Sequence, residues 1–168
     1  MQHPIKYTLL ENGTLAITTI IFGIMSGFFW TYSFNVNYAM LEVSGEVYAI
    51  VQSLFNENVR HFMFFIFFFG GGIFSVVSVV ANIKHRKEKS FWLIVVASLC
   101  YVLGIILFTK EVNLPLNYYT ESWQPTNLPS DWSDIRAKWN EANLLRVYAS
   151  FTSFILCIFA FVVRASRE

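Results

Sequence analysis

Four long stretches of this chain contain no Asp, Glu, Lys or Arg, and this pattern limits its fold more than any other feature. The stretches are Asn12–Leu41, Phe62–Ile83, Ser90–Thr109 and Val147–Val163. A helix that crosses the hydrocarbon core of a bilayer needs roughly 20 mostly apolar residues. The sequence therefore predicts an all-α integral membrane protein, a four-transmembrane-helix bundle that forms one domain over residues 1–168.

Composition and charge exclude several other classes of protein. Only 14% of the residues are charged, whereas a typical soluble domain has about 25%. The net charge of +1 offers no electrostatic footprint for nucleic acid, so no nucleic-acid partner is expected. The apolar stretches are continuous rather than alternating, which excludes a transmembrane β-barrel. The expected surrounding is instead the lipid bilayer.

The charge-free stretches also set the expected spans. The predicted spans cover residues 14–40, 62–83, 91–109 and 143–164. Residues 1–13 are expected to form a short lead, with Glu11, Asn12 and Gly13 marking the start of the first helix. The first apolar stretch is too long for a signal peptide, so we expect it to be retained as a span.

Basic residues predict the orientation of the bundle. The loop Lys84–Lys89 carries four positive charges against one negative charge, and the tail carries Arg164 and Arg167. Short loops rich in Lys and Arg stay on the cytoplasmic side. Both termini are therefore expected in the cytoplasm. A compact chain without a targeting peptide fits a bacterial inner membrane.

A short amphipathic helix is predicted between the first two spans, at residues 44–60. Apolar residues recur there at helical spacing, and they are Val47, Ile50, Val51, Leu54 and Phe55. Ser44 is suited to cap this helix, with Glu46 in its first turn. We expect the helix to lie on the outer interface or to cap the bundle.

The outer segment before the last span has two parts. Pro115 predicts an extended or turned chain just before it, and residues 123–129 form a loop. Beyond this loop no Pro or Gly occurs up to the end of the fourth span. The sequence predicts one long helix from Asp131 to Arg164 that starts outside the membrane.

Unusual residues form a stripe along this last helix, at alternating spacings of four and three. The stripe contains Trp132, Arg136, Trp139, Asn143, Arg146, Ser150, Ser153 and Cys157. Polar residues at membrane depth face the bundle or a wet cavity rather than lipid. The first span has a similar stripe that contains Ser26, Trp30, Ser33 and Asn37. Together the two stripes predict a polar pocket at the outer end of the bundle.

Arg146 is the residue of this stripe with the most specific chemistry. Seventeen uncharged residues follow it, which places it at or slightly below the outer boundary of the membrane. Its guanidinium offers a fixed fork of donors suited to an oxyanion, an enolate or a carbonyl oxygen. Alternatively, Arg146 extends to the interface or pairs with a carboxylate such as Glu141. The sequence leaves both interpretations open.

Two glycine patterns also have alternative readings. Gly23 and Gly27 form a small-x-x-x-small motif, which serves either packing within the bundle or a homo-oligomer face. The glycines at 70–72 serve either close helix packing or room for a ligand.

Metal and cofactor motifs are lacking in the sequence. His3, His61 and His85 do not stand at ligand spacing. Cys100 and Cys157 lie inside apolar stretches and are expected to be free thiols. We therefore expect no metal and no cofactor.

Several segments together resemble the anthrone-oxygenase-like membrane proteins, a four-span family that includes enzymes oxidising anthrones to anthraquinones. The segments are Gly27-Phe-Phe-Trp-Thr-Tyr-Ser33, Ala49-Ile-Val-Gln-Ser-Leu-Phe-Asn56, Pro115-Leu-Asn117 and Trp139-Asn-Glu-Ala-Asn143-Leu-Leu-Arg146. The resemblance implies a polar set that consists of Asn56, Asn117, Trp139, Asn143 and Arg146.

Two functions follow from these patterns. The first is an oxygenase without a cofactor that acts on a hydrophobic aromatic or phenolic compound. Arg146, Asn143 and Asn117 would be its catalytic residues, stabilising an enolate oxygen. The expected substrate-binding residues are Trp139, Trp30, Asn56, Asn37 and His61, and His61 is the one candidate base at neutral pH. The alternative is a non-catalytic membrane protein that binds a small molecule or lipid, or a subunit of a membrane assembly.

Overall fold

Five helices make up the protein in a computed structural model that describes residues 6–166. The helices are α1 (Leu9–Leu41), α2 (Gly45–Asn58), α3 (Phe62–Ala81), α4 (Lys89–Glu121) and α5 (Trp132–Ala165). No β-strand forms within residues 6–166. His3 and Arg167, which the sequence analysis considered, lie outside the described residues.

Four of these helices are long and apolar enough to cross a membrane, as the sequence predicts. They are α1, α3, α4 and α5, and they pack in a ring in which α1 and α4 each contact both α3 and α5. The buried side chains of the ring form one core that includes Leu15, Phe22, Met25, Phe29, Ile94, Tyr101, Ile105 and Val147. The predicted all-α four-helix bundle is confirmed.

The first helix begins earlier than the sequence analysis expected. Thr8 caps it, because its hydroxyl accepts a hydrogen bond from the backbone N–H of Glu11 while the Glu11 carboxylate accepts one from the N–H of Thr8. This reciprocal pair is a capping box, which satisfies two donors that a helix start leaves free. Residues 11–13 therefore lie inside the first turns of α1 rather than before it, and that expectation was wrong.

The amphipathic helix α2 caps the bundle with its polar side. Ser44 caps α2 as predicted, accepting from the backbone N–H of Val47. Gln52 and Asn56 are buried against the bundle, whereas apolar residues such as Ile50 and Leu54 are exposed. The inward side of α2 is therefore held both by hydrogen bonds and by the packing of Tyr48 and Ala49, and its outward side is apolar.

Helix α4 continues straight through Pro115, contrary to the prediction of an extended chain. Leu114 has right-handed helical backbone angles, and Pro115 lies in the first turn of the last α-helical part, Leu114–Glu121. The wide π-helical turn Thr109–Asn113 comes directly before it. Because a π turn moves the carbonyl groups of the preceding turn, the proline ring fits without ending the helix.

Two further π-helical turns interrupt the long helices, Tyr32–Val36 in α1 and Val102–Leu107 in α4. Short π-helical turns within α-helices are frequent at functional sites. The turns at Tyr32–Val36 and Thr109–Asn113 both lie in the half of the bundle that α2 covers, where the sequence predicts a polar site.

Helix α5 runs without interruption for 34 residues, which confirms the predicted long final helix. The first turns of α5 come before the predicted fourth span and contribute to a second, smaller hydrophobic core. Trp132 packs there on a cluster formed by Met40, Tyr48, Ala49 and Trp123. Burial in this cluster raises the pKa of the Tyr48 phenol, which keeps it un-ionised.

Polar residues tie the helix ends together at the opposite end of the bundle. The buried Arg164 guanidinium donates to the side-chain oxygens of Asn12 (2.5 Å) and Asn82 (2.7 Å). Lys84 forms an ion pair with the buried Glu11, with Nζ and Oε1 2.8 Å apart. The start of α1, the loop after α3 and the end of α5 therefore lie on one side.

The glycines in α3 allow close helix packing, which was one of the two readings of residues 70–72. A Cβ atom on Gly71 would lie 2.5 Å from the ring of Tyr101. The Tyr101 side chain is fully buried and its hydroxyl donates to the carbonyl of Phe68 at 3.1 Å. Gly71 is therefore the gap in α3 that admits this tyrosine.

Gly23 and Gly27 have different surroundings: Gly23 packs inside the bundle, and Gly27 lies on its surface. A Cβ atom on Gly23 would meet the ring of Phe154 at 3.0 Å, whereas one on Gly27 would meet nothing within 4 Å. Gly23 therefore serves packing between α1 and α5. Self-association through Gly23 and Gly27 stays a prediction.

Replacing Gly71 by Ala should destabilise the bundle, whereas replacing Gly70 should not. The new methyl group at position 71 displaces the buried Tyr101, at a cost of about 1–3 kcal/mol. At position 70 the nearest atom, on Ile21, is 3.9 Å away, so Gly70→Ala should gain up to about 1 kcal/mol of helix propensity. Thermal unfolding in detergent, followed by circular dichroism, measures both. Equal unfolding temperatures for the two variants would contradict this packing.

Candidate functional site

The polar stripe of α5 faces the inside of the bundle. Trp139, Asn143 and Arg146 are buried, and so are the deeper members Ser150, Ser153 and Cys157. The stripe therefore faces the interior of the bundle, in agreement with the expectation from the sequence.

The Arg146 guanidinium is held mainly by aromatic rings. Its central carbon lies 4.6 Å from the ring centre of Phe29 and 5.7 Å from that of Trp139. Nη2 donates to Oδ1 of Asn143 at 2.8 Å, and the buried Nε has no hydrogen-bond partner among the described residues. Among residues 6–166, no carboxylate lies within 4 Å of it, and the expected alternative partner Glu141 is not paired with it. The positive charge is buried without a counter-charge.

Asn143 connects Arg146 to α1. Its amide nitrogen donates to the hydroxyl of Ser33 at 2.7 Å and to the carbonyl of Phe29 at 3.2 Å. Ser33 lies in the π-helical turn Tyr32–Val36. The two polar stripes that the sequence analysis found on α1 and α5 therefore meet at Ser33 and Asn143.

Trp139 connects the same site to α4. Its indole N–H donates to Oδ1 of the half-buried Asn117 at 2.6 Å, and its ring centre lies 4.6 Å from that of Tyr32. The structure thus brings together the three residues predicted to be catalytic and Trp139.

A chain of side-chain hydrogen bonds closes the site beneath α2. Tyr32 donates to Gln52 (2.5 Å), Gln52 to Asn56 (3.0 Å) and Asn56 to Thr120 (3.1 Å). The Thr120 hydroxyl in turn donates to the carbonyl of Asn117 at 2.9 Å. The predicted site residue Asn56 therefore lies one layer outside Arg146, in the contact between α2 and α4.

Three of the predicted substrate-binding residues take other positions. Trp30 is 46% exposed and its ring packs on Phe34 on the outer side of α1. His61 is exposed at the start of α3, where its Nδ1 accepts from the backbone N–H of Phe64. Asn37 is half-buried, and its Oδ1 is buried without a partner. Trp30, His61 and Asn37 therefore take no part in the hydrogen bonds and ring contacts described around Arg146.

A polar stripe on α4 was not predicted, although its member Asn117 was expected from the family resemblance. The members of the stripe follow spacings of four, four and three, and they are Thr109, Asn113, Asn117 and Thr120. The third span was expected to end at Thr109 and the chain to be extended or turned before Pro115, so the helical spacing continues beyond the predicted helix. Tyr32 and Gln52 were also missed as site residues, although Gln52 stands opposite the apolar face of α2.

The donor set of this site suits an oxygen anion more than a metal. Among the described residues 6–166, no three His, Cys, Asp or Glu side chains group to hold a metal ion. Arg and Asn amides instead present N–H donors in a buried setting, where each hydrogen bond to an anion is stronger than in water.

Residues 61–156 match the family model described as anthrone oxygenase. The chain belongs to the anthrone oxygenase family. The resemblance noted from the sequence is thereby confirmed, and the matched part includes the site residues Asn117, Trp139, Asn143 and Arg146. No curated protein matches the chain, and no solved structure matches it.

Asn143 should matter for stability mainly because it binds Arg146. Asn143→Leu leaves the guanidinium without its protein acceptor and should lower the free energy of unfolding by about 1–3 kcal/mol. In an Arg146→Met background the same substitution should cost clearly less, because no buried charge is left unpaired. Chemical unfolding in detergent of both single variants and the double variant measures the coupling. Equal costs in the two backgrounds would contradict it.

Proposed function

We propose that this protein binds a hydrophobic aromatic ketone or phenol in the outer half of the bundle and catalyses its oxidation by dioxygen at an acidic C–H bond. The family description supports this type of reaction. The observation that carries the proposal is the buried guanidinium of Arg146, which faces aromatic rings and no carboxylate.

Electrostatics favour an anionic species next to Arg146. A buried charge without a counter-charge is costly, and an anion that arrives during the reaction supplies the missing charge. The enolate of an aromatic ketone is such an anion, and it is more negative at oxygen than the ketone. Arg146 therefore stabilises the enolate more than the neutral substrate, which is the requirement for catalysis.

Aromatic rings around Arg146 suit a flat apolar ligand. Phe29 and Trp139 lie on the guanidinium, and Tyr32 lies next to Trp139. Aromatic pairs gain about 0.5–1.5 kcal/mol beyond the burial of their area. We assign stacking on the substrate to these three rings, and orientation of its oxygen to Asn143 and Arg146.

The proposed reaction converts a ring CH₂ group and dioxygen into a ring carbonyl group and water. Loss of the first C–H proton gives the enolate, and its carbon then forms a C–O bond to dioxygen. The resulting peroxide takes up a proton. Loss of the second C–H proton breaks the O–O bond, which leaves the carbonyl and releases hydroxide that is protonated to water. Arg146 holds the negative oxygen during the first step.

Turnover of anthrone by the purified protein tests this proposal. The Arg146→Met variant should lose about 100-fold or more in rate, while Arg136→Met should retain activity, because Arg136 stacks on Trp132 and Tyr48 in the outer core. Formation of the quinone is followed by absorbance, and unfolding temperatures confirm that both variants fold. Wild-type turnover no faster than oxidation in protein-free detergent would refute the catalytic role. Binding without turnover would favour the non-catalytic alternative.

We also propose that both termini lie in the cytoplasm of a bacterial inner membrane. The basic loop after α3 supports this orientation, and the contacts of Lys84 with Glu11 and of Arg164 with Asn12 place both helix ends on the side of that loop.

Cysteine labelling of spheroplasts tests this orientation. Both native cysteines are first replaced by Ala, and a single cysteine is then placed at an exposed position in either loop. Thr126→Cys should react with a membrane-impermeant maleimide in spheroplasts, whereas Lys87→Cys should react only after lysis. The reverse labelling pattern would mean that the bundle is inverted.

A further inference from the structure

Helix α2 has an apolar face on the side that points away from the bundle. The face consists of Val47, Ile50 and Leu54, which are 42%, 44% and 51% exposed. Their spacings of three and four residues place them on one side of the helix. Exposed apolar residues that lie together mark a surface that contacts another protein or a membrane.

The two flanks of this apolar face differ in polarity. Glu46 and Glu57 are exposed on one flank, together with Ser53, whose hydroxyl donates to Glu57 at 3.3 Å. Val51 and Phe55 lie on the other flank. A helix between a protein and water has an apolar side toward the protein and a polar side toward water. Helix α2 instead has three sides, which indicates three surroundings: the bundle, water and a further apolar medium.

Lipid-facing residues adjoin the apolar face at both ends of α2. In α1, Tyr38 and Leu41 are exposed just before α2 begins, and Phe62 is 76% exposed where α3 begins. Each turn that joins α2 to these spans has only three residues. On the apolar flank, the ring centre of Phe55 lies 6.1 Å from that of Tyr32 in α1. The apolar face therefore continues the surface that the spans present to lipid.

The length of α3 indicates the depth at which α2 lies. Helix α3 has 20 residues and is therefore roughly 30 Å long, which is about the thickness of the hydrocarbon core. Its first residue, Phe62, then lies at the boundary of the hydrocarbon. Helix α2 ends three residues earlier, so it lies in the headgroup layer next to that boundary.

The opposite side of the bundle is charged at this end. Helices α1 and α5 run antiparallel, and the bond between Ser33 and Asn143 fixes their register. This register places Tyr38 near the level of Lys138. Lys138 and Glu141 are exposed on α5, whereas α1 exposes Tyr38 there. The apolar surface at this level is therefore specific to the side of α1 and α2.

We propose that the apolar face of α2 is a lipid-binding surface, seated between the headgroups and the upper acyl chains of the leaflet at this end of the bundle. Lipid is the occupant because lipid-facing residues adjoin the face at both ends, at the depth where interfacial helices bind. Helix α2 thus binds the bundle with its inward side and the membrane with its outward side. This surface does not depend on the proposed catalytic function.

Spin labels on two sides of α2 test this proposal. Cys100 and Cys157 are replaced by Ala, a single cysteine is placed at Leu54 or Glu57, and the labelled protein is reconstituted in phosphatidylcholine nanodiscs. Collisions with oxygen, which concentrates in lipid, and with a water-soluble nickel complex give a depth parameter, the logarithm of the ratio of the two collision rates. The depth parameter should be positive for Leu54→Cys and negative for Glu57→Cys.

Reference labels define the two limits. Ile73→Cys, at an exposed position in α3, gives the value for lipid, and Thr126→Cys, in the loop before α5, gives the value for water. A Leu54 label with the value of Thr126 would overturn the proposal. A Leu54 label that neither reagent reaches would also overturn it, because a protein partner or a second copy then covers the face. If Leu54→Cys does not fold, Ile50→Cys and Glu46→Cys supply the same comparison one turn earlier, with the same signs expected.

Discussion

A positive charge inside an apolar bundle is the constraint on which the outer half of this protein depends. The guanidinium of Arg146 is buried, so its surroundings must offer acceptors or rings. Asn143 gives one acceptor, and Phe29 and Trp139 give two ring faces. Asn143 and Trp139 are in turn held by other helices, Asn143 through Ser33 on α1 and Trp139 through Asn117 on α4. Three helices thus converge on one cation.

Helix α5 has two buried arginines, and their charges are stabilised by different sets of hydrogen-bond acceptors. Arg164 donates to Asn12 and Asn82, from two different segments, and lies 4.0 Å over the ring of Tyr7. Arg146 has a single side-chain acceptor, from its own helix. The end of the bundle next to the basic loop is therefore closed by bonds within the chain, whereas the end that α2 covers retains donor capacity for a ligand.

The sequence was sufficient to predict the bundle, because stretches such as Phe62–Ile83 are too long and too apolar for anything other than a span. It also predicted that Asn143 and Arg146 face inward, since their spacing follows one helix face. The failures have separate causes, among them the capping box that starts α1 early and the deviations of α4 from regular helix geometry. A π turn lets α4 pass Pro115 and brings Asn113 and Asn117 into the bundle. Periodicity counted on an α-helix cannot anticipate such a turn.

Helix α2 exposes apolar residues and buries the polar residues Gln52 and Asn56, whereas a surface helix of a water-soluble protein exposes mainly polar residues. Its attachment combines the hydrogen bonds of Gln52 and Asn56 with the apolar packing of Tyr48 and Ala49, while Ile50 and Leu54 point away. Water competes for amide bonds, but hydrocarbon cannot. The hydrogen-bonded part of this attachment is therefore strongest where water is excluded, while the apolar contacts of Tyr48 and Ala49 hold α2 where water is present.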